Sequence, residues 1–286
     1  MSLVRGWGPF GRDPAGSFNF PVSRPDSVLY LERSPRWVRA RFGGQTVADS
    51  RRAMLLHDPA SLPSYYIPAE DVRIDLLTPS GREELSETKG PQVFYTLSAG
   101  GRTAEDAAWT FPSPPPDARG LAGHFAFSWP ALEAWLEEDE EVYVHARDPY
   151  HRVDALRSTR HVTISLDDAV LADSAAPVAL FETAQPTRWY LPAGDVRTDL
   201  LRPEPDRTSR CPYKGTATYW SAEVEARREP MLAWTYSDPR PGVAAIAGRI
   251  CFFNERVDTE VDGERQARPV TAWASTDWIK RLEQKR

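Results

Sequence analysis

Tyr66-Ile67-Pro68-Ala69-Glu70-Asp71-Val72-Arg73-Ile74-Asp75-Leu76-Leu77 returns 124 residues later as Tyr190-Leu191-Pro192-Ala193-Gly194-Asp195-Val196-Arg197-Thr198-Asp199-Leu200-Leu201. Worked outward, the match extends without a gap over residues 37–77 and 161–201, where fifteen of 41 pairs are identical. One inserted residue moves the offset to 125, and Lys89-Gly90 then meets Lys214-Gly215 while Ala108-Trp109-Thr110-Phe111 meets Ala233-Trp234-Thr235-Tyr236. Self-similarity at such a period marks duplicated units. The 286 residues therefore read as two diverged copies of one domain in tandem: an extended, aromatic arm over 1–35, a first repeat over 36–150 and a second over 151–286. The arm is too aromatic for a disordered tail and is expected to pack across the domains.

The repeated unit is rich in β-strand. Val38, Ala40 and Phe42 alternate with Arg39 and Arg41 before a Gly43-Gly44 turn, and Val162, Ile164 and Leu166 alternate in the same way before Asp167-Asp168. That is the period of a half-buried strand. Residues 52–56, 92–97, 125–129, 177–181, 216–222 and 249–253 read as further strands, and the 26 prolines speak against long helices. Two stretches look helical. Residues 130–141 carry Leu132, Trp135 and Leu136 after a first-turn proline, with Glu137 to Glu141 as a solvated face, and the tail from Ser275 spaces Trp278, Ile279 and Leu282 helically. The fold class is thus mainly β, two antiparallel domains with short helices.

Composition narrows the function. A net charge of -6 argues against nucleic acid or an anionic membrane as partner. The start lacks a signal-peptide core and no stretch approaches the length of a spanning helix. Two cysteines cannot form a four-thiolate zinc site, so a reducing cytoplasm is the expected compartment. His145, Asp148 and His151 in the 145–160 linker match no zinc spacing, and no phosphate loop, dinucleotide fingerprint or catalytic triad is present. No metal and no cofactor is expected.

Only four of the 35 basic residues are lysines, and two of them, Lys89 and Lys214, precede glycine at aligned positions. A lysine kept in an arginine-rich chain suggests that a compact ammonium is wanted there. It either meets an anionic ligand or pairs with Asp71 and Asp195 as a structural partner. Arg73 and Arg197 either clamp a carboxylate or pin a strand end. Tyr66, Trp109, Tyr190, Tyr213, Trp220 and Trp234 either wall an aromatic pocket or form plain core. Cys211 stands beside Lys214, which would lower a thiol pKa, but its aligned counterpart is Ser86; Cys251 reads as core.

Tyr190-Leu191-Pro192, Asp195-Val196-Arg197, Cys211-Pro212-Tyr213-Lys214-Gly215, Trp234 and Ile246-Ala247-Gly248 together resemble a bacterial family, domain of unknown function 427, also listed under a nucleotidyltransferase-like name. The likeness covers nearly the whole chain in that family's two-domain form. It implies an antiparallel β-tent architecture, similar to the thalidomide-binding domain of cereblon and to methionine sulfoxide reductase B. The first copy departs, with Ser86-Glu87-Thr88-Lys89-Gly90 in place of the cysteine motif. The leading expectation is a small-molecule-binding protein, with an aromatic pocket over a basic floor in the second domain. An enzyme acting on a nucleotide-like or phosphorylated ligand, and a purely structural module, stay open beside it.

Overall fold

The computed structural model describes residues 3–22, 28–225 and 227–283. The first domain runs β1 (Tyr30–Arg33), β2 (Val38–Phe42), β3 (Gln45–Ser50), β4 (Met54–His57), β5 (Ser64–Pro68), β6 (Leu77–Ser86), β7 (Gly90–Ala99), β8 (Arg102–Thr110), β9 (His124–Phe127), β10 (Ala134–Glu137) and β11 (Glu140–Val142). The second runs β12 (Val153–Arg157), β13 (Val162–Leu166), β14 (Ala169–Ser174), β15 (Val178–Glu182), β16 (Arg188–Leu191), β17 (Leu201–Cys211), β18 (Gly215–Val224), β19 (Arg227–Thr235), β20 (Ile250–Phe252), β21 (Asp258–Val261) and β22 (Glu264–Arg265), and closes with α1 (Asp277–Glu283). The chain divides into two compact units, Met1–His151 and Arg152–Arg286. No helix among the described residues is long and apolar enough to cross a membrane.

Each unit holds a seven-stranded and a four-stranded antiparallel sheet. The orders β1-β4-β5-β9-β8-β7-β6 and β12-β15-β16-β20-β19-β18-β17 are the same topology, as are β11-β10-β2-β3 and its counterpart β14-β13-β21-β22. The match reaches irregularities: both copies shift register within the second strand pair, at Ala40/Arg41 and at Ile164/Ser165. The large sheet is covered on both faces, so its central strands read as continuous apolar runs. Trp189 and Leu191 of β16 pack toward the small sheet with Val162, Ile164 and Leu166, while Tyr190 between them packs on the far side with Val178, Leu180, Trp234 and Trp278.

The stretch that revealed the duplication is the joint between the two sheets. Short 3-10 turns at Ala69–Asp71 and Ala193–Asp195 leave each large sheet. The chain then bridges to the small sheet through Ala48↔Val72 and Ala172↔Val196. Asp71 accepts a hydrogen bond from the Ser50 hydroxyl at 2.7 Å and Asp195 one from Ser174 at 2.6 Å. Buried polar groups must find partners; the joint supplies the serine–aspartate bond in both copies, and in the first Arg52 also holds Asp71 at 2.7 Å.

Two readings are corrected. Residues 130–141 are not a helix but a 3-10 turn (Trp129–Ala131) followed by β10 and β11. The helical spacing of Leu132, Trp135 and Leu136 is also compatible with a turn leading into a strand, and pairing with β2 decides in favour of the strand. Glu137 is consequently no solvated residue: it is buried and accepts the Tyr65 hydroxyl at 2.9 Å, with Arg36 at 3.1 Å. The arm is shorter and less extended than expected. Residues 30–33 belong to the large sheet as β1, and the described part of 3–22 folds into turns closed by bonds such as Phe10 N–H to Leu3 C=O. The tail helix is present, with Trp278 buried.

In the first domain Trp135 stacks on Trp129 at 4.5 Å and contacts Tyr65, filling the space between the sheets. Trp135→Thr is expected to destabilise this domain by about 3–5 kcal/mol, the range for truncating a buried Trp, as a lowered urea midpoint followed by circular dichroism.

Candidate functional site

The aligned lysines lie in the tips of equivalent hairpins, and each folds back onto a carboxylate at the end of a distant strand. Lys89 pairs with Asp58, and Lys214 with Glu182. Asp58 and Glu182 are themselves aligned, at the offset of 124. The expected partners, Asp71 and Asp195, are taken up in the sheet joint instead: Asp71 holds Arg52 and Ser50, and Asp195 holds Ser174. Glycine follows each lysine because the turn needs a left-handed backbone, with φ +83° at Gly90 and +104° at Gly215. Lys214 is 12% exposed and Glu182 9%. Burial is the largest single influence and works against the ammonium, but the charge and hydrogen bond of Glu182 together with Cys211 outweigh it, and Lys214 is raised above its ordinary value.

This geometry answers the lysine question structurally. An ammonium already neutralised in a buried pair is no basic floor for an anion. Cys211 lies nearby, yet burial pushes its thiol up despite Lys214, so it is held as a thiol rather than activated. Cys251 is fully buried and likewise pushed up by burial. Tyr190 and Trp234 are both buried, and the Trp234 indole donates to the Tyr190 hydroxyl at 2.9 Å; in the first copy the Trp109 indole donates to Tyr66 at 3.4 Å. Burial carries Tyr66 to about 12 and Tyr190 well above the usual phenol value. Trp220 is half-buried against the inter-sheet core and Tyr213 is half-buried in the hairpin tip. Arg73 and Arg197 project to solvent and are bidentate to Asp75 and Asp199, two residues on, not to the aspartate two residues before. The predicted residues thus fall into core positions and ion pairs, with the buried Trp220 indole N–H left without a partner.

A different set lines an open space. Between the sheets of the second domain lies a cavity of about 270 Å³ walled by Phe181, Pro186, Thr187, Trp189, Asn254, Thr259, Val261 and neighbours at the rim. Thr259 is 3% exposed and its hydroxyl has no hydrogen-bond partner. Asn254 donates to Thr187 C=O at 3.2 Å and accepts from Arg188. Arg188 is itself buried and bidentate to Glu255 at 2.6 Å. The sequence reading passed over Trp189, Asn254 and Thr259. Strand register supplies the missing signal: Trp135 pairs with Ala40 and Thr259 with Ile164, and Ala40 aligns with Ile164. Thr259 therefore occupies the place of Trp135, and Asn254 that of Trp129. Where the first copy stacks two indoles, the second has a threonine and an amide. A larger cavity of about 620 Å³ in the first domain is lined by Leu29, Leu31, Met54, Leu56, Ala118 and Leu121 together with Tyr30, Asp117 and Arg119; among the described residues none of these polar side chains is both buried and unpartnered.

A family described as "Domain of unknown function (DUF427)" matches residues 30–138 and again residues 154–263. The chain belongs to this family. Its two matches fall one on each repeat, in the tandem form that the motifs suggested. A search of curated proteins gave no match.

Two outcomes test the structural reading of the DUF427 motif residues. Lys214→Ala should cost about 3–5 kcal/mol, the range for stripping one partner from a buried pair, and Lys214→Met with Glu182→Leu should recover most of it; denaturant curves of single and double variants measure this. In the folded protein at pH 7.5 neither cysteine should react with iodoacetamide at the rate of a free thiol, because the raised pKa keeps the thiolate fraction low. Mass spectrometry before and after unfolding reads the labelling.

Proposed function

We propose that this chain is a small-molecule-binding protein whose second domain carries the site, in the inter-sheet cavity beside Trp189. The supporting observation is Thr259: a buried hydroxyl without a partner costs roughly 1–3 kcal/mol, and the residue that carries it is one of those that wall the cavity. A ligand that supplies the partner removes that cost on binding. Concave, mostly apolar sites with a few placed polar groups are the usual form of small-molecule pockets, and Trp189 with Phe181, Thr187, Asn254 and Thr259 has this composition. The site lies on the opposite face of β16 from Tyr190 and Lys214, so the reading keeps the second domain as the binding half but moves the pocket across the sheet. Two free cysteines suit the cytoplasm as its compartment. The nucleotidyltransferase-like label of the family adds no chemistry by itself.

The test combines native mass spectrometry of protein purified from its own host with a thermal-shift screen of metabolites. Thr259→Trp, which installs the first copy's filling, should abolish both retained ligand and thermal shifts. Thr259→Val keeps the shape and removes the hydroxyl. It should raise the stability of the free protein by about 1–3 kcal/mol while weakening ligand binding. A Thr259→Val variant that loses stability and binds as wild type would refute the site.

A further inference from the structure

The two copies differ over one continuous patch, and the difference has a direction. On the inter-sheet face of the second domain, Leu156 of β12 lies opposite Ala179 of β15, and Ala179 opposite Trp189 of β16. Side chains directly opposite in an antiparallel pair share a face, so Leu156, Ala179 and Trp189 form a row across three strands. Phe181, two residues from Ala179, stands next to it on the same face. Leu156 is 55% exposed and Phe181 46%. Phe181 and Trp189 also wall the cavity, so the apolar row runs from the surface into it.

The first copy has closed the same patch with polar groups. Glu32 takes the place of Leu156 and His57 that of Phe181. The His57 Nε2 lies 2.8 Å from Glu32, the Tyr150 hydroxyl donates to Glu32 at 2.9 Å, and the Tyr150 and His57 rings are 5.6 Å apart. His57 is consequently buried. Behind it, Tyr65, Trp129 and Trp135 fill the interior. Four positions thus change together between the copies, two opening a cavity and two laying an apolar path to it.

Resting on the binding reading above, we infer that the second domain takes an amphipathic small molecule. Its hydrogen-bonding head sits at Thr259 and Asn254, and its apolar tail runs along Trp189 to Phe181 and Leu156. The head is neutral. Arg160, the charged side chain in the cavity wall, is already paired with Asp262 at 2.7 Å, and no carboxylate lines the cavity, so neither cation nor anion is left over to match a charged head. The cavity of about 270 Å³ has the volume of about nine waters at their liquid share. It therefore holds a head of a few non-hydrogen atoms with the first part of the tail, and the rest lies over the exposed pair.

The probe is the series of primary n-alkyl amides from butyramide to octanamide, with binding read by chemical-shift titration of the Trp189 indole. The dissociation constant should fall roughly fourfold per added methylene, the transfer free energy of a buried CH₂. Leu156→Glu with Phe181→His, the residues of the first copy, should flatten that dependence. Leu156→Glu alone, at an exposed position outside the cavity wall, should leave butyramide affinity unchanged and so report an intact cavity. Binding that Thr259→Trp abolishes but that ignores chain length, or a chain-length dependence that survives Leu156→Glu with Phe181→His, overturns the amphipathic ligand and leaves the pocket standing. No binding by any amide overturns this inference. If protein from its own host also carries no ligand, the binding reading falls with it.

Discussion

A buried lysine–carboxylate pair that ties an edge hairpin to a distant strand sets the shape of each domain. In the sheet order β18, which Lys214 immediately precedes, and β15, which ends at Glu182, are separated by four strand steps. At about 4.8 Å per step a flat sheet would hold those strands roughly 19 Å apart, far beyond the reach of the two side chains. The sheet must coil strongly for the pair to form, and the aromatic residues on its inner side are what it coils around. Tyr190, Tyr219, Trp234 and Tyr236 fill that space in the second domain, and Tyr66 and Phe111 occupy it in the first. The same four steps separate Asp58 from Lys89. An ion pair of this kind adds little net stability over an apolar replacement, but it forbids any sheet curvature that would leave either charge alone. That explains why lysine persists here: the ammonium sits over a tight turn whose glycine leaves room for a compact charge rather than a planar fork.

Coiling the large sheet produces two faces with different duties. The inner face is closed by side chains that satisfy one another, such as the Trp234 indole on the Tyr190 hydroxyl. The outer face must be covered by the small sheet, and the joint at Asp71 and Asp195 fixes where that cover sits. Once both are fixed, the gap between the sheets is free to vary, because its filling residues lie on β10 and β21 and in the loops before them rather than in the joint. The first copy has used that freedom to pack indoles, and the second to leave a space.

The duplication and the strand content were legible because they rest on local patterns: period-two alternation and a twelve-residue stretch repeated almost unaltered. That stretch attracted attention as a site, yet its identity reflects the joint, where backbone bridges and buried serine–aspartate bonds tolerate few replacements. The partners of Lys89 and Lys214 were not legible, since Asp58 and Glu182 are brought near only by long-range curvature. The exchange of Trp135 for Thr259 was hidden for a simpler reason. The gapless offset of 125 sets Thr259 against Ala134, and only the hydrogen-bonded register with β2 and β13 corrects it by one residue. One residue of slip reverses which face a strand side chain points to, so the alignment concealed the pocket while displaying everything around it.

The structural and functional demands on this domain then separate cleanly in space. Residues shared by both copies hold the curvature and the joint, and their loss acts on folding. Residues that differ between the copies gather at the inter-sheet gap, where the second domain tolerates an unpartnered hydroxyl and two exposed apolar side chains that the first has replaced with packed or paired groups. Stability alone favours the first copy's solution, since filling the cavity is worth more than about 1 kcal/mol, even though the Trp135 indole N–H that fills it is itself buried without a partner. Proteins retain such local costs where a site needs them. On this argument the direction of divergence supports the proposed binding role of the second domain, because the less well-packed copy is the one that carries the open space.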